Sequence, residues 1–108
     1  MSDGFDISLL RSAMAKGNIQ WHQHALVRCL ERGISRERAI LAVLYGEVIE
    51  QYLDDRPYPS CLILQVDGEP LHVVAAVDPH AEVAHIITVY QPDLERFEMD
   101  LKTRKKKT

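Results

Sequence analysis

His24, Arg28 and Arg32 recur at intervals of four, so on a helix they fall within roughly 80° of arc and give it one cationic edge. Such an edge can hold phosphate, and an imidazole within it can move a proton near neutral pH. The same pattern also fits an ordinary amphipathic helix whose arginines pair with Glu31, Glu37 or carboxylates of a neighbouring sheet. His72 stands in an otherwise apolar strand segment, where it needs a hydrogen-bond partner or a depressed pKa. Thr88 or Tyr90 across a ladder could be that partner, making His72 either a satisfied core histidine or a functional one. Arg56-Pro57-Tyr58-Pro59 places a cation and a phenol on a loop stiffened by two prolines, as a positioned pair or as a plain connection. The close pair His22-x-His24 does not read as metal ligands, because residues two apart on a helix diverge by about 200° and no acidic or cysteine partner has ligand spacing. Neither a metal nor another cofactor is expected.

The elements that must carry these groups are legible from periodicity. Ile7, Leu9, Leu10, Ala13 and Met14 suit a short helix capped by Asp6 or Ser8 and stopped near Gly17-Asn18. Trp21, Ala25, Leu26, Cys29 and Leu30 predict the buried side of a second helix, ended by Gly33. Ser35 is a good N-cap for a third, with Ile40, Leu41, Val43 and Leu44 as its apolar stripe and Gly46 as its end. Beyond Gly46 the period turns towards two, predicting strands at 48–53, 60–66, 71–77 and 83–90. Asp67-Gly68 marks a hairpin; an even loop there puts Leu62, Leu64 and Val66 on the helix-covered face with Leu71, Val73, Ala75 and Val77. An odd loop at Asp78-Pro79-His80-Ala81 adds Val83, Ile87 and Val89 to that face. The opposite face then shows His72, Val74, Ala76, Ile86, Thr88 and Tyr90, too apolar to stand idle in water. Leu94, Phe97 and Leu101 suggest one more packed turn.

The fold expected is α+β: two or three N-terminal helices on one face of an antiparallel sheet of about four strands. With 108 residues, 27% charged and 46% hydrophobic, the chain suits a single domain over 1–101, followed by a basic tail expected to be disordered over 102–108. No apolar run approaches the roughly 18 residues of a membrane span, and the acidic start does not read as a signal peptide, so a cytoplasmic location is the expectation. Cys29 and Cys61 read as buried apolar residues rather than a disulfide or metal pair. The net charge of −3 hides a body of 8 basic against 16 acidic side chains over 1–101. Such a body repels phosphate on average, so a nucleic-acid role requires a local basic patch or the tail.

The segments His24-Ala25-x-x-Arg28-x-x-Glu31-Arg32-Gly33-Ile34-Ser35 and Gly46-Glu47-Val48-Ile49-Glu50-x-Tyr52-x-x-Asp55-Arg56-Pro57-Tyr58-Pro59-Ser60 resemble domain-of-unknown-function family 4258. Pro70-Leu71-His72-Val73-Val74 and Ile87-Thr88-Val89-Tyr90-x-Pro92-Asp93 continue the resemblance, which spans about residues 20–100. Its members look like small bacterial proteins encoded beside zinc-ribbon or helix-turn-helix antitoxins, similar in size and element order to the RelE, BrnT and MqsR groups of toxins. The resemblance implies a toxin-like subunit that cuts RNA without a metal and is silenced by an antitoxin. His24 or His72 would then transfer protons, Arg28, Arg32 and Arg56 would hold phosphate, and Tyr90 would be an auxiliary acid or stacking ring. The alternative is a non-catalytic module, or a homodimer, that pairs through the open apolar sheet face.

Overall fold

Asp6 accepts the Leu9 amide at 3.0 Å and opens helix α1 (Ile7–Ala15), which buries Leu10, Ala13 and Met14. The computed structural model describes residues 4–106. Helix α2 (Gln23–Arg32) ends at Gly33, which takes the left-handed conformation (φ 64°) that a side chain would resist. Ser35 caps α3 (Arg36–Tyr45) by accepting the Arg38 amide. Gly46, which ends α3, is needed for a different reason: its φ of −76° is ordinary, but a Cβ there would meet the Ala42 carbonyl and lie 2.6 Å from Ile63 Cγ2. Arg11 ties α1 to this corner by donating to the carbonyls of Val43 (3.0 Å) and Gly46 (2.6 Å).

Five strands form one sheet in the order β1 (Ile19–Trp21), β5 (Val83–Tyr90), β4 (Leu71–Asp78), β3 (Ser60–Gln65), β2 (Glu47–Tyr52). The architecture is α+β, as expected, with β1 as an additional short edge strand parallel to β5. Trp21 therefore belongs to a strand rather than to the second helix. The helical stripes are also narrower than expected. Leu30 is 86% exposed and Leu41 50%, while Ala25, Cys29, Ala39, Ala42 and Val43 provide the buried contacts. Small residues let α2 and α3 approach the sheet closely, and the larger ones at their margins stay in water.

Two corrections concern sheet parity. Gln65 pairs with Leu71, so the hairpin loop holds the odd number of residues 66–70 and the expected face of β3 is inverted. Cys61 and Ile63, not Leu62 and Leu64, join Leu71, Val73, Ala75 and Val77 under the helices. Asp78 pairs with Val83 across the even loop 79–82, and a bulge at Ile87 then shifts the register between Ala75↔Ile86 and Val74↔Thr88. Ala84, Ile86 and Val89 consequently face the helices, in place of Val83, Ile87 and Val89. Past the bulge the expected alignment returns, with His72↔Tyr90 and Val74↔Thr88 on the second face.

That second face is not open. Residues 93–105 fold back over it as a strap, a small hairpin in which Phe97 bridges Arg104 and Lys105 donates to the Arg96 carbonyl. Phe97 is 2% exposed and packs edge-on against the buried His72, and Leu62, Leu64 and Ala76 on the same face are buried as well. The apolar surface required for docking through this face is thus consumed by the chain itself. The expected disorder of the tail does not extend to its first residues: Lys102 pairs with Glu47 at 2.9 Å and Arg104 with Glu50 at 2.7 Å. Residues 107 and 108 lie outside the described region.

Candidate nucleic-acid interface

Helix α2 runs beside β5, and the strap returns on the other side of Tyr90. Between them lies a groove of about 400 Å³. Its helical wall is His24, Arg28 and Arg32, its floor includes Thr88 and Tyr90, and its far wall brings Arg96 and Arg104. The i, i+4, i+8 spacing therefore does what the sequence allowed: it turns three polar groups to one side while Ala25 and Cys29 hold the helix to the core. Arg28 Nε points at His24 Nε2 across 3.4 Å, and its guanidinium stands 3.8 Å from Glu31. Neither contact buries Arg28, so its charge remains available to a ligand.

Tyr90 is half-buried, and that burial pushes its hydroxyl above the usual phenol range, so the ring keeps its proton as a donor. Arg104 donates to both Glu50 oxygens, at 2.7 and 3.0 Å, and lies over the Phe97 ring at 4.8 Å. Burial opposes ionisation of Glu50, but the bonds from Arg104 and Tyr52 outweigh it and hold the carboxyl below its usual range. Asp93 is the acidic member of the groove lining; its Oδ1 is engaged by the Glu95 amide at 2.8 Å.

His72 lies beneath this groove rather than in it. It is fully buried, with Tyr90 and Phe97 packed edge-on at ring distances of 5.1 and 4.7 Å. Its Nε2 lies 2.8 Å from the Leu101 carbonyl, an acceptor, so Nε2 carries the proton and Nδ1 is bare. Among the described residues Nδ1 finds no partner, and burial holds the ring below its ordinary pKa. The partner expected across the ladder, Thr88 or Tyr90, is replaced by a backbone carbonyl of the strap. A side chain with no accessible surface cannot exchange a proton with a substrate, so the structure gives His72 the role of anchoring the strap.

Arg56 is also outside the groove. Its loop leads into Ser60, which pairs with Ala76 and through it with His85, five residues along β5 from Tyr90. At that end sits a second cluster. His22 Nε2 and His85 Nδ1 are 3.1 Å apart, Tyr58 lies over His85 with ring centroids 5.2 Å apart, and the Tyr58 hydroxyl donates to Asp78 at 2.9 Å. Burial, and then the neighbouring His22, lower the pKa of His85. The sequence reading missed this cluster together with Arg96 and Arg104. His22 and His85 are brought together by the parallel pairing of β1 with β5, and no local pattern announces that pairing. Among the described residues no group of three or more His, Cys, Asp or Glu side chains is placed to hold a metal ion, and no helix is long and apolar enough to cross a membrane.

In comparison with known families, the model of "Domain of unknown function (DUF4258)" matches residues 21–91. That span takes in α2 with its cationic edge and runs through β5 to Gln91. No curated protein and no solved structure matches the chain.

Proposed function

The chain belongs to the DUF4258 family, and from that starting point we propose that it is a toxin-like endoribonuclease that cleaves RNA without a metal and is held silent by an antitoxin protein. The observation that carries this reading is the groove itself. Arginines from α2 and from the strap face one another across it, with an imidazole on one wall and a protonated phenol in the floor. A phosphodiester is the ligand that these converging guanidinium groups fit best, because Arg28, Arg32 and Arg96 can each supply paired donors to phosphate oxygens, while Arg104 is committed to Glu50 and shapes the far wall.

In the proposed reaction the ribose 2′-oxygen attacks the adjacent phosphorus as the His24 imidazole, released from Arg28 when that guanidinium turns to the phosphate, takes its proton. Arg28 and Arg32 hold the charge of the pentavalent phosphorane. The bond from phosphorus to the 5′-oxygen breaks, and Tyr90 donates the proton that the leaving oxygen needs. The products are a 2′,3′-cyclic phosphate and a free 5′-hydroxyl, and a water returns the proton from His24 to Tyr90. The acidic body is consistent with this role only because the cations are concentrated in one place.

Purified protein incubated with single-stranded RNA in the presence of a chelator should release cyclic-phosphate ends. Changing His24 to alanine should slow cleavage by about 10² to 10⁴ with RNA affinity retained, the range for loss of one proton-transfer group. Changing Arg28 to alanine should weaken binding as well. In cells, induction should arrest growth and either variant should relieve it. Intact RNA together with normal growth at high wild-type expression would refute the assignment.

A further inference from the structure

The cluster of His22, His85 and Tyr58 continues the groove on the same side of the sheet. Cross-strand partners share a face, so the pairs His72↔Tyr90, Val74↔Thr88 and Ala76↔His85 put Tyr90, Thr88 and His85 in one row along β5. His22 immediately precedes α2, whose His24, Arg28 and Arg32 line the other side. The His22–His85 contact thus joins the start of the helical wall to the strand that floors the groove, and the arginines crowd the other end. Five residues of strand separate these ends, roughly 16 Å at about 3.3 Å per residue.

We propose that this end is a nucleobase subsite, and that the ligand of the whole trough is single-stranded RNA whose backbone enters the arginine end while a base two or so nucleotides away stacks on Tyr58 and His22. The inference rests on the reading of the arginine groove as an RNA site. The rings are suited to stacking. Tyr58 and His85 are half-buried and His22 is exposed, so ring faces remain accessible, while the tilt of 33° between Tyr58 and His85 already makes a stacked pair. The Tyr58 ring is held from both sides, by Pro57 and Pro59 in the chain and by its bond to Asp78, whose other oxygen takes the His80 and Ala81 amides. A ring held in place loses little freedom when a base lands on it. Bases in a duplex are already stacked on each other and offer no free face, so only a single strand can use both ends at once.

The test is calorimetric titration with 2′-O-methyl oligoadenylates, which bind but lack the attacking hydroxyl, in lengths of two and six nucleotides. The hexamer should bind the wild-type protein more tightly than the dimer. Tyr58→Ala and His22→Ala should each reduce hexamer affinity by roughly five- to a hundredfold, the span seen for loss of a base-stacking side chain, and leave dimer affinity unchanged. Tyr58→Phe keeps the ring and loses only the Asp78 bond, so it should retain most of the hexamer affinity that Tyr58→Ala loses; His22 is exposed, so its variant guards against misfolding at Tyr58. Hexamer affinity unchanged in both alanine variants would overturn the base subsite while leaving the arginine groove standing. Failure of the wild-type protein to bind either length would overturn the RNA reading itself, and the subsite with it.

Discussion

His72 illustrates how burial alone reassigns a residue. In an exposed strand it would be a ready proton carrier; sealed under Phe97 with Nε2 committed to Leu101, it is a neutral donor that fixes the strap. The unfolded imidazole takes a proton near pH 6.5, whereas desolvation delays this in the folded protein. The unfolded chain therefore binds more protons as the pH drops below about 6.5, and stability falls with it. His85 shifts in the same direction, so the wild-type trend has two sources. Urea unfolding at pH 7.5 and pH 5.5 should show this loss. His72→Gln, which keeps a donor for Leu101 and cannot titrate, should flatten the trend while lowering stability at both pH values. An unchanged pH trend in that variant would mean that His72 titrates freely in the folded protein.

At the scale of elements, the strap decides what the second sheet face can do. Its hydrogen bonds are largely its own: Glu98 donates to the Thr103 carbonyl, and Asp100 caps the turn by accepting the Lys102 and Thr103 amides. What fastens it to the sheet is Phe97, the His72–Leu101 bond and the Lys102–Glu47 and Arg104–Glu50 pairs. Arg104 is half-exposed, so its loss should cost about 1 kcal/mol, the upper range for a surface pair, with its cover over Phe97 included. The sharper readout is local. In Arg104→Ala, amide exchange at Glu98 and Lys105 should accelerate, and that in β3 and β4 should not. Because the same variant removes one wall of the groove, RNA affinity should drop together with strap protection. Uniform acceleration across the sheet would instead mark Arg104 as part of the global fold.

For the whole molecule, the relevant quantity is how charge is distributed. Over residues 1–101 there are 8 basic and 16 acidic side chains, yet Arg28, Arg32 and Arg96 from that set line one groove together with Arg104 from the basic tail. Binding of a single strand should therefore weaken with salt along a shallow line. A slope of about −0.7 is expected for each phosphate contact, giving roughly −2 to −3 in total. Arg32→Ala should remove one such increment, and a slope near zero would mean that the arginines do not meet phosphate. Much of the fold was legible because it is locally written. Asp6, Gly33 and Ser35 bound helices through bonds to residues three or four away, and Asp67-Gly68 announced its hairpin. The cationic edge of α2 was legible for the same reason, since His24, Arg28 and Arg32 owe their alignment to helical pitch alone. A period of two, by contrast, does not record a single inserted residue, so the five-residue loop 66–70 inverted β3 and the four-residue loop 79–82 inverted the start of β5, whose expected alignment the bulge at Ile87 then restored. The far wall of the groove depends on Arg104 meeting Glu50 across 54 positions of sequence, and the His22–His85 contact spans 63. Local pattern was enough to say which helix presents cations and where β2 to β5 run; β1, and everything that faces those cations, came from three-dimensional packing, because partners brought together over long stretches of chain leave no periodic trace in it.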